Sequence, residues 1–404
     1  MALTSDSKLE MNLHSKAVHA GDRKRTPGRP VPVTTPIHTA ASFFYDSLES
    51  IDKVFAREMH GYAYSRYDNP SNAALEEAVT SLENAHGTLA TASGMSALQI
   101  ALTAALTDRR KHILMANALY GATVKLVQQV FEPFGVTNAM VDICDLAAVE
   151  KAIAAEKPGV ILMETISNPL LRIGDIPKVA EMAKAVGACL IVDNTFATPA
   201  LVRPLEFGAH MSVSSATKYL SGHGDVIGGL VSCDEEHYEP VRALSRIYGP
   251  ILGPFECYLT MRGIKTFPLR NERQNDNALA VAKWLESHPA IEAVYFPGLA
   301  NYPDRETAAR LLPAGKYGAM VSFDIKNAAR EQIFAFFDRL KMIVPATSLG
   351  DVHTMALYPT IASHRDIPPK QRQRLGIKDN LVRLSVGIEG IDDIIADLDQ
   401  ALRA

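Results

Sequence analysis

One tryptophan, four cysteines and no apolar run of eighteen residues are the scarcities of this 404-residue sequence, and each removes a class of protein. Cys144, Cys189, Cys233 and Cys257 stand far apart, with no CxxC pair and no Cys/His spacing suited to zinc, so a disulfide scaffold and a zinc module are both excluded and reduced thiols are expected. The opening MALTSDSKLEMNLHSK sets no apolar stretch behind a basic start, and no later run is long enough to span a bilayer; a soluble, cytoplasmic protein is expected. Surplus positive charge is missing too. A formal net charge of -4 generates no field that gathers phosphate backbones or anionic lipid, so neither nucleic acid nor membrane is an expected partner. Internal repeats and low-complexity blocks are absent, which removes solenoids and arrays.

What is present is an ordinary folded composition, 47% apolar and 21% charged, in a chain longer than one hydrophobic core usually supports. Residues 1–60, with AGDRKRTPGRPVPVTTPIHTA, keep neither a helical nor a strand period and read as an extended arm suited to contacts with a neighbouring subunit. Over 61–260, Leu75, Ala78, Val79 and Leu82 mark an amphipathic helix begun by Pro70 and Ser71. Strand-length apolar runs TLATA, KHILMA, GVILMET, ACLIVDN, MSVSSA and GGLVSC then alternate with helical patterns. That alternation predicts an α/β fold with a large, mainly parallel sheet. Over 261–404 a long polar helix, FPLRNERQNDNALAVAKWLESH, precedes short strands AVYF and AMVSFDI and a closing helix IDDIIADLDQALRA, which predicts a smaller C-terminal α+β domain.

Three positions carry chemistry. In SSATKYLSGHGD, Lys218 follows a strand among small and hydroxyl side chains, where a partly desolvated amine can lose its proton and form a Schiff base with a carbonyl cofactor. In LIVDNTF, Asp193 ends an apolar run, where a buried carboxylate needs a partner such as a protonated ring nitrogen. In TASGMSALQIALTAAL, Ser93, Gly94 and Met95 open an apolar helix whose first amides suit a phosphate. Alone, each has an ordinary reading: a solvated lysine, a turn aspartate, a common helix start. Together, on successive strand ends, they supply a phosphate cup, a ring partner and an amine. The GxG of SGHGD carries no nucleotide role.

With YSRYDNPS, ASGMSA, LYGAT, METISNP, VDNTFATP, SSATKYLSGHGD, GPFECYLTMRGIKT, TSLGD and RLSVGIE, the chain resembles the trans-sulfuration, or Cys/Met metabolism, enzymes from about Tyr62 to its end. The resemblance implies the fold-type-I transferase fold, pyridoxal 5'-phosphate (PLP) as cofactor, and a homotetramer built as a dimer of dimers. It implies Lys218 as the residue carrying PLP, Asp193 facing the ring nitrogen, and Gly94, Met95, Ser215 and Thr217 around the phosphate. Tyr64 and Arg66 would reach that phosphate from a neighbouring subunit. Tyr120 would stack on the ring and handle protons at the leaving group; Arg383, with Asn168 and Ser348, would hold the substrate carboxylate. No metal is implied.

The activity implied is γ-elimination from a small-molecule sulfur amino acid, cystathionine, homocysteine or methionine, to 2-oxobutyrate, ammonia and a thiol. Alternatives are γ-replacement joining an O-acylhomoserine to a thiol, an aminotransferase of the same fold, and a non-catalytic scaffold. Ala122 stands where methionine γ-lyases commonly carry cysteine, and Thr347 where many cystathionine enzymes carry glutamate, while Lys125 offers a cation near the entrance. Broad tolerance for the group on sulfur is therefore expected.

Overall fold

A computed structural model describes residues 10–23, 30–365 and 367–403. The six apolar runs of the first part are strands, and with one more they make a seven-stranded sheet: β1 (Gly87–Thr91), β2 (His112–Ala116), β3 (Thr137–Val141), β4 (Val160–Glu164), β5 (Cys189–Asp193), β6 (Met211–Ser215) and β7 (Gly229–Cys233). Their order is β1-β7-β6-β5-β4-β2-β3. Pairing is parallel from β6 to β3, and β7 runs antiparallel to both β6 and β1. The α/β expectation holds. The strand not foreseen, β3, lies at the sheet edge with only its last residue, Val141, buried, so TNAMV carries no apolar run to read.

A second sheet has the order β10-β11-β12-β9-β8, with β8 (Ile291–Tyr295), β9 (Met320–Ile325), β10 (Val344–Pro345), β11 (Met355–Leu357) and β12 (Leu381–Ser385). All its pairs are antiparallel except β10 with β11. Its own core includes Val321, Phe323, Val382, Leu384, Ile394 and Leu398, separate from the core around the large sheet.

One helix, Pro254–Ser287, joins the two. Ile264 and Phe267 sit in the first core, Val281 and Leu285 in the second. The sequence reading began this helix at Phe267, yet it starts thirteen residues earlier, at Pro254, and carries Pro268 inside it. An interior proline costs about 3 kcal/mol, and here burial of the surrounding turns offsets it. The helix is also polar without being solvated: Arg270, Asn271, Gln274, Asn275 and Asn277 are all buried.

The arm carries some regular structure of its own. It forms two short helices, Leu13–His19 and Leu48–Phe55, in which Asn12 accepts from the Ser15 N–H and Ser47 from the Ser50 N–H. At two turns each, they are too short for a period to register, and their caps are the readable signal. Residues 1–9 and 24–29 of the arm lie outside the described residues. Among the described residues, no helix is long and apolar enough to cross a membrane.

Candidate active site

Parallel strands bring their carboxyl ends to one edge, the edge at which α/β sheets bind ligands. Glu164, Asp193 and Ser215 are the last residues of β4, β5 and β6, three adjacent strands. Register pairs Glu164 directly with Asp193, so the two side chains share one side of the sheet. Above them is a cavity of about 490 Å³ lined by Gly94, Met95, Tyr120, Asn168, Asp193, Ser215, Thr217, Lys218 and Arg383, with Glu164 and Thr347 also in its wall.

Lys218 stands in the turn after β6. Its Nζ donates to Ser348 Oγ at 3.0 Å. Burial, then the nearby Arg383 cation, lowers the pKa of the amine, which favours the neutral, nucleophilic form. The turn itself is held from behind: buried Arg270 donates to the carbonyls of Tyr219 at 2.9 Å, Leu220 at 3.3 Å and Gly263 at 2.8 Å. Gly222 has a φ of +71°, and a Cβ there would lie 1.9 Å from Arg270 Nη1, so the glycine both makes the turn and admits the arginine.

Asp193 accepts from the Thr195 N–H at 3.0 Å, and burial raises its pKa. The helix Gly94–Thr107 begins beside it. Ser93 caps this helix by accepting from the Ser96 N–H at 3.1 Å, and the Ala97 N–H bonds the Ser93 carbonyl, which leaves the first amides, of Gly94 and Met95, without intrahelical acceptors. A Cβ on Gly94 would stand 3.2 Å from Ser215 Cβ, so a side chain there would narrow this mouth.

The other wall comes from the smaller sheet. Alternation along β12 sends Val382 and Leu384 into their own core and Arg383 to the opposite face, where it lines the cavity. Arg383 Nη1 donates to Asn168 Oδ1 at 2.8 Å and Nη2 to the Ser348 carbonyl at 3.5 Å, while its buried Nε has no partner. Burial pulls its pKa down to about 10.

Tyr64 and Arg66 are not brought to this cavity by their own chain. Arg66 bonds the Arg246 carbonyl and lies 4.6 Å from the centroid of the Tyr67 ring, and Tyr64 is exposed. Lys125 and Ala122 do not line the cavity either. Two contributors escaped the sequence reading: Arg270, and Glu164, which carried the same signal as Asp193, an acid closing an apolar run. Among the described residues, no group of three or more His, Cys, Asp or Glu is disposed to hold a metal ion.

The profile of the family described as Cys/Met metabolism PLP-dependent enzymes matches residues 14–403. The chain belongs to this family. It is 39% identical over 402 residues to an O-succinylhomoserine sulfhydrylase of Pseudomonas aeruginosa, covering 99% of this chain and 97% of that protein. It is 39% identical to an L-methionine gamma-lyase of Fusobacterium nucleatum subsp. polymorphum over 96% of this chain and 98% of that one. The crystal structure of a cystathionine gamma-lyase from Lactobacillus plantarum, complexed with L-serine, superposes with a TM-score of 0.89 at 36% identity, over 97% and 98% of the two chains.

Family membership makes the protein a PLP-dependent enzyme of sulfur amino-acid metabolism. The donor set fits that cofactor. Two unpaired amides at a helix start and the hydroxyls of Ser215 and Thr217 suit a phosphate, a buried acid suits a pyridine nitrogen, and a depressed lysine suits an aldehyde.

Proposed function

We propose that the protein is a carbon–sulfur lyase that eliminates the γ-thiol of an L-amino acid, giving a 2-oxo acid, ammonia and a thiol. The observation that carries this reading is the single cavity shared by Lys218, Tyr120 and Arg383, two groups able to hold protons and one cation able to hold a carboxylate. Lys218 would hold PLP in the resting enzyme, and PLP would supply an electron sink for charge developing at the substrate Cα. The protein's own groups do the rest. Arg383, steered by Asn168 and Ser348, binds the carboxylate with its forked donors and fixes which Cα bond is presented. The Lys218 amine, whose pKa burial and Arg383 lower, is freed when the substrate's amino group displaces it, removes the Cα proton, gives it up and then takes one from Cβ, with Ser348 orienting it through a 3.0 Å hydrogen bond. The electron pair left at Cβ then expels the sulfur from Cγ, and Tyr120 gives that sulfur its proton. Water completes the balance: thioether plus water gives 2-oxobutyrate, ammonia and the free thiol.

Gly94, Met95, Ser215 and Thr217 would hold the phosphate, with Asp193 at the ring nitrogen. Tyr64 and Arg66 would serve the cavity of a neighbouring copy, in a homotetramer made of two such dimers. Mixing Arg66→Ala and Lys218→Ala proteins under subunit exchange is then expected to restore activity, because some sites regain both residues; hybrids without activity would remove Arg66 from a shared site.

A second reading, γ-replacement of the acyl group of an O-acylhomoserine by a thiol, is favoured by the likeness to the sulfhydrylase. The two readings separate by product. Incubation with L-cystathionine, L-methionine, L-homocysteine, and O-succinyl-L-homoserine plus a thiol, each analysed by mass spectrometry, is expected to give 2-oxobutyrate from the thioethers or thiol; thioether formation as the dominant reaction would reverse the order.

A further inference from the structure

Among the described residues, Glu164 is the one ionisable group in the cavity wall to which the reaction above gives no task. It is buried, and a carboxylate without a task is costly in such a place. Both its oxygens are engaged: Oε1 accepts from the Tyr120 N–H at 2.7 Å, and Oε2 from the Asn168 N–H at 3.1 Å. These two amides belong to different parts of the site. Tyr120 opens the short helix Gly121–Lys125 and has no side-chain cap of its own, while Asn168 carries the oxygen that receives Arg383. On the far side of Asn168, buried His364 bonds its backbone. The residue is thus fixed from two directions.

We propose that Glu164 is a positioning residue, a staple whose two oxygens hold the amides of Tyr120 and Asn168 and so set the aromatic wall and the carboxylate clamp at one fixed separation. It rests on the roles given above to Tyr120 and Arg383. The chemistry requires a carboxylate of this length. Glutamine would turn an NH2 toward one of two N–H donors and lose that hold. Aspartate keeps the acceptors but is one methylene too short to reach both amides. The groups facing Glu164 are Asp193, Arg383 and these two amides: burial and then Asp193 push its pKa well up, while the amides and Arg383 draw it down. Any cation that neutralises Asp193 therefore also favours the ionised staple.

The test uses the PLP-loaded enzyme and L-alanine, which has the amine and carboxylate of a substrate but no leaving group. In Glu164→Gln and Glu164→Asp alike, the dissociation constant of L-alanine, read from cofactor absorbance, is expected to rise about tenfold or more, the effect of losing one hydrogen bond to a charged group. PLP content after dialysis is expected to stay at the wild-type level. Wild-type affinity in the glutamine variant would overturn the staple, and so would wild-type affinity in the aspartate variant alone, which would leave charge and not reach as the requirement. Hydrogen exchange of the unmodified protein decides the matter if neither variant folds: the Tyr120 and Asn168 amides are expected to exchange at least about tenfold more slowly than in the unfolded chain, and unprotected amides would end the proposal. Because L-alanine cannot eliminate, a chain found to make other products would lose the γ-elimination reading and keep the staple.

Discussion

The floor and the roof of the cavity are built by different rules. The floor consists of the ends of β4, β5 and β6 with the Lys218 turn, on strands buried along nearly their whole length and braced from behind by Arg270. The roof comes from the smaller sheet and the segments around it, Thr347, Ser348, Arg383, Ala362 and Ser363, and meets the other wall through Lys218 with Ser348, Arg383 with Asn168 and the Val352 N–H with the Gly222 carbonyl. A rigid floor suits chemistry that a whole family shares. A roof hung from short strands and loops is where substrate choice can change at little cost to the fold. Relatives named as sulfhydrylase, γ-lyase and β-lyase, all near the same identity to this chain, fit that division.

Breaking the floor is expected to have the largest effect. Lys218→Ala removes the proposed base and cofactor-bearing amine, so turnover is expected to fall by roughly 10² to 10⁴ from base loss alone, with the circular dichroism of a folded protein. Near wild-type turnover in the PLP-saturated variant would end the assignment. Breaking the roof should instead separate substrate from cofactor. Arg383→Ala is expected to weaken amino-acid binding by about 2 to 5 kcal/mol while PLP stays bound, as measured by absorbance titration; equal loss of both would erase the distinction between the two walls.

Where roof and floor meet, His364 offers a pH test. Burial, then Arg383, holds its pKa down to about 4, against an ordinary 6.5. The unfolded chain therefore takes up the proton first as pH falls. Stability present above pH 6.5 is lost on the way down to 4, by about 3 kcal/mol in all. Urea unfolding at a series of pH values is expected to show this slope, and His364→Gln to flatten it; an unchanged slope would mean that other groups carry the acid sensitivity. The smallest effect concerns Thr347, a neutral residue in the roof. Thr347→Glu adds a partner for a distal ammonium and is expected to raise the cystathionine to homocysteine ratio of kcat/KM by roughly ten- to a hundredfold, the equivalent of about 1.5 to 3 kcal/mol. No change would move selectivity elsewhere in the roof. Lys125, outside the cavity lining, is not the residue to vary first.

The floor was legible in the sequence because a parallel sheet writes its strands as unbroken apolar runs and its functional groups as the residues that end them. Asp193, Gly94 and Lys218 are found that way, and Glu164 obeys the same rule. The brace was not legible. In the Pro254–Ser287 helix the run Arg270 to Asn277 reads as a solvated face, because its partners are carbonyls far off in sequence: Tyr219 and Leu220 for Arg270, Asp351 for Gln274, Gly387 for Asn277. Polar side chains that pair with distant backbone leave no periodic trace. The start of that helix was missed for a related reason, since Pro268 looks like a first-turn proline and the packing that tolerates it is tertiary. Tyr64 and Arg66 are a third case. Their motif is readable, but neither residue lines the cavity of its own chain.

The most direct test of the floor is to reduce the PLP-loaded protein with borohydride, digest it, and locate the pyridoxyl group by peptide mass spectrometry. The expected result is a single modified peptide carrying the group on Lys218, with loss of the yellow colour and of activity in step. A modification on any other lysine, or a protein that binds PLP and reduces without labelling Lys218, would contradict the assignment of this cavity as the active site.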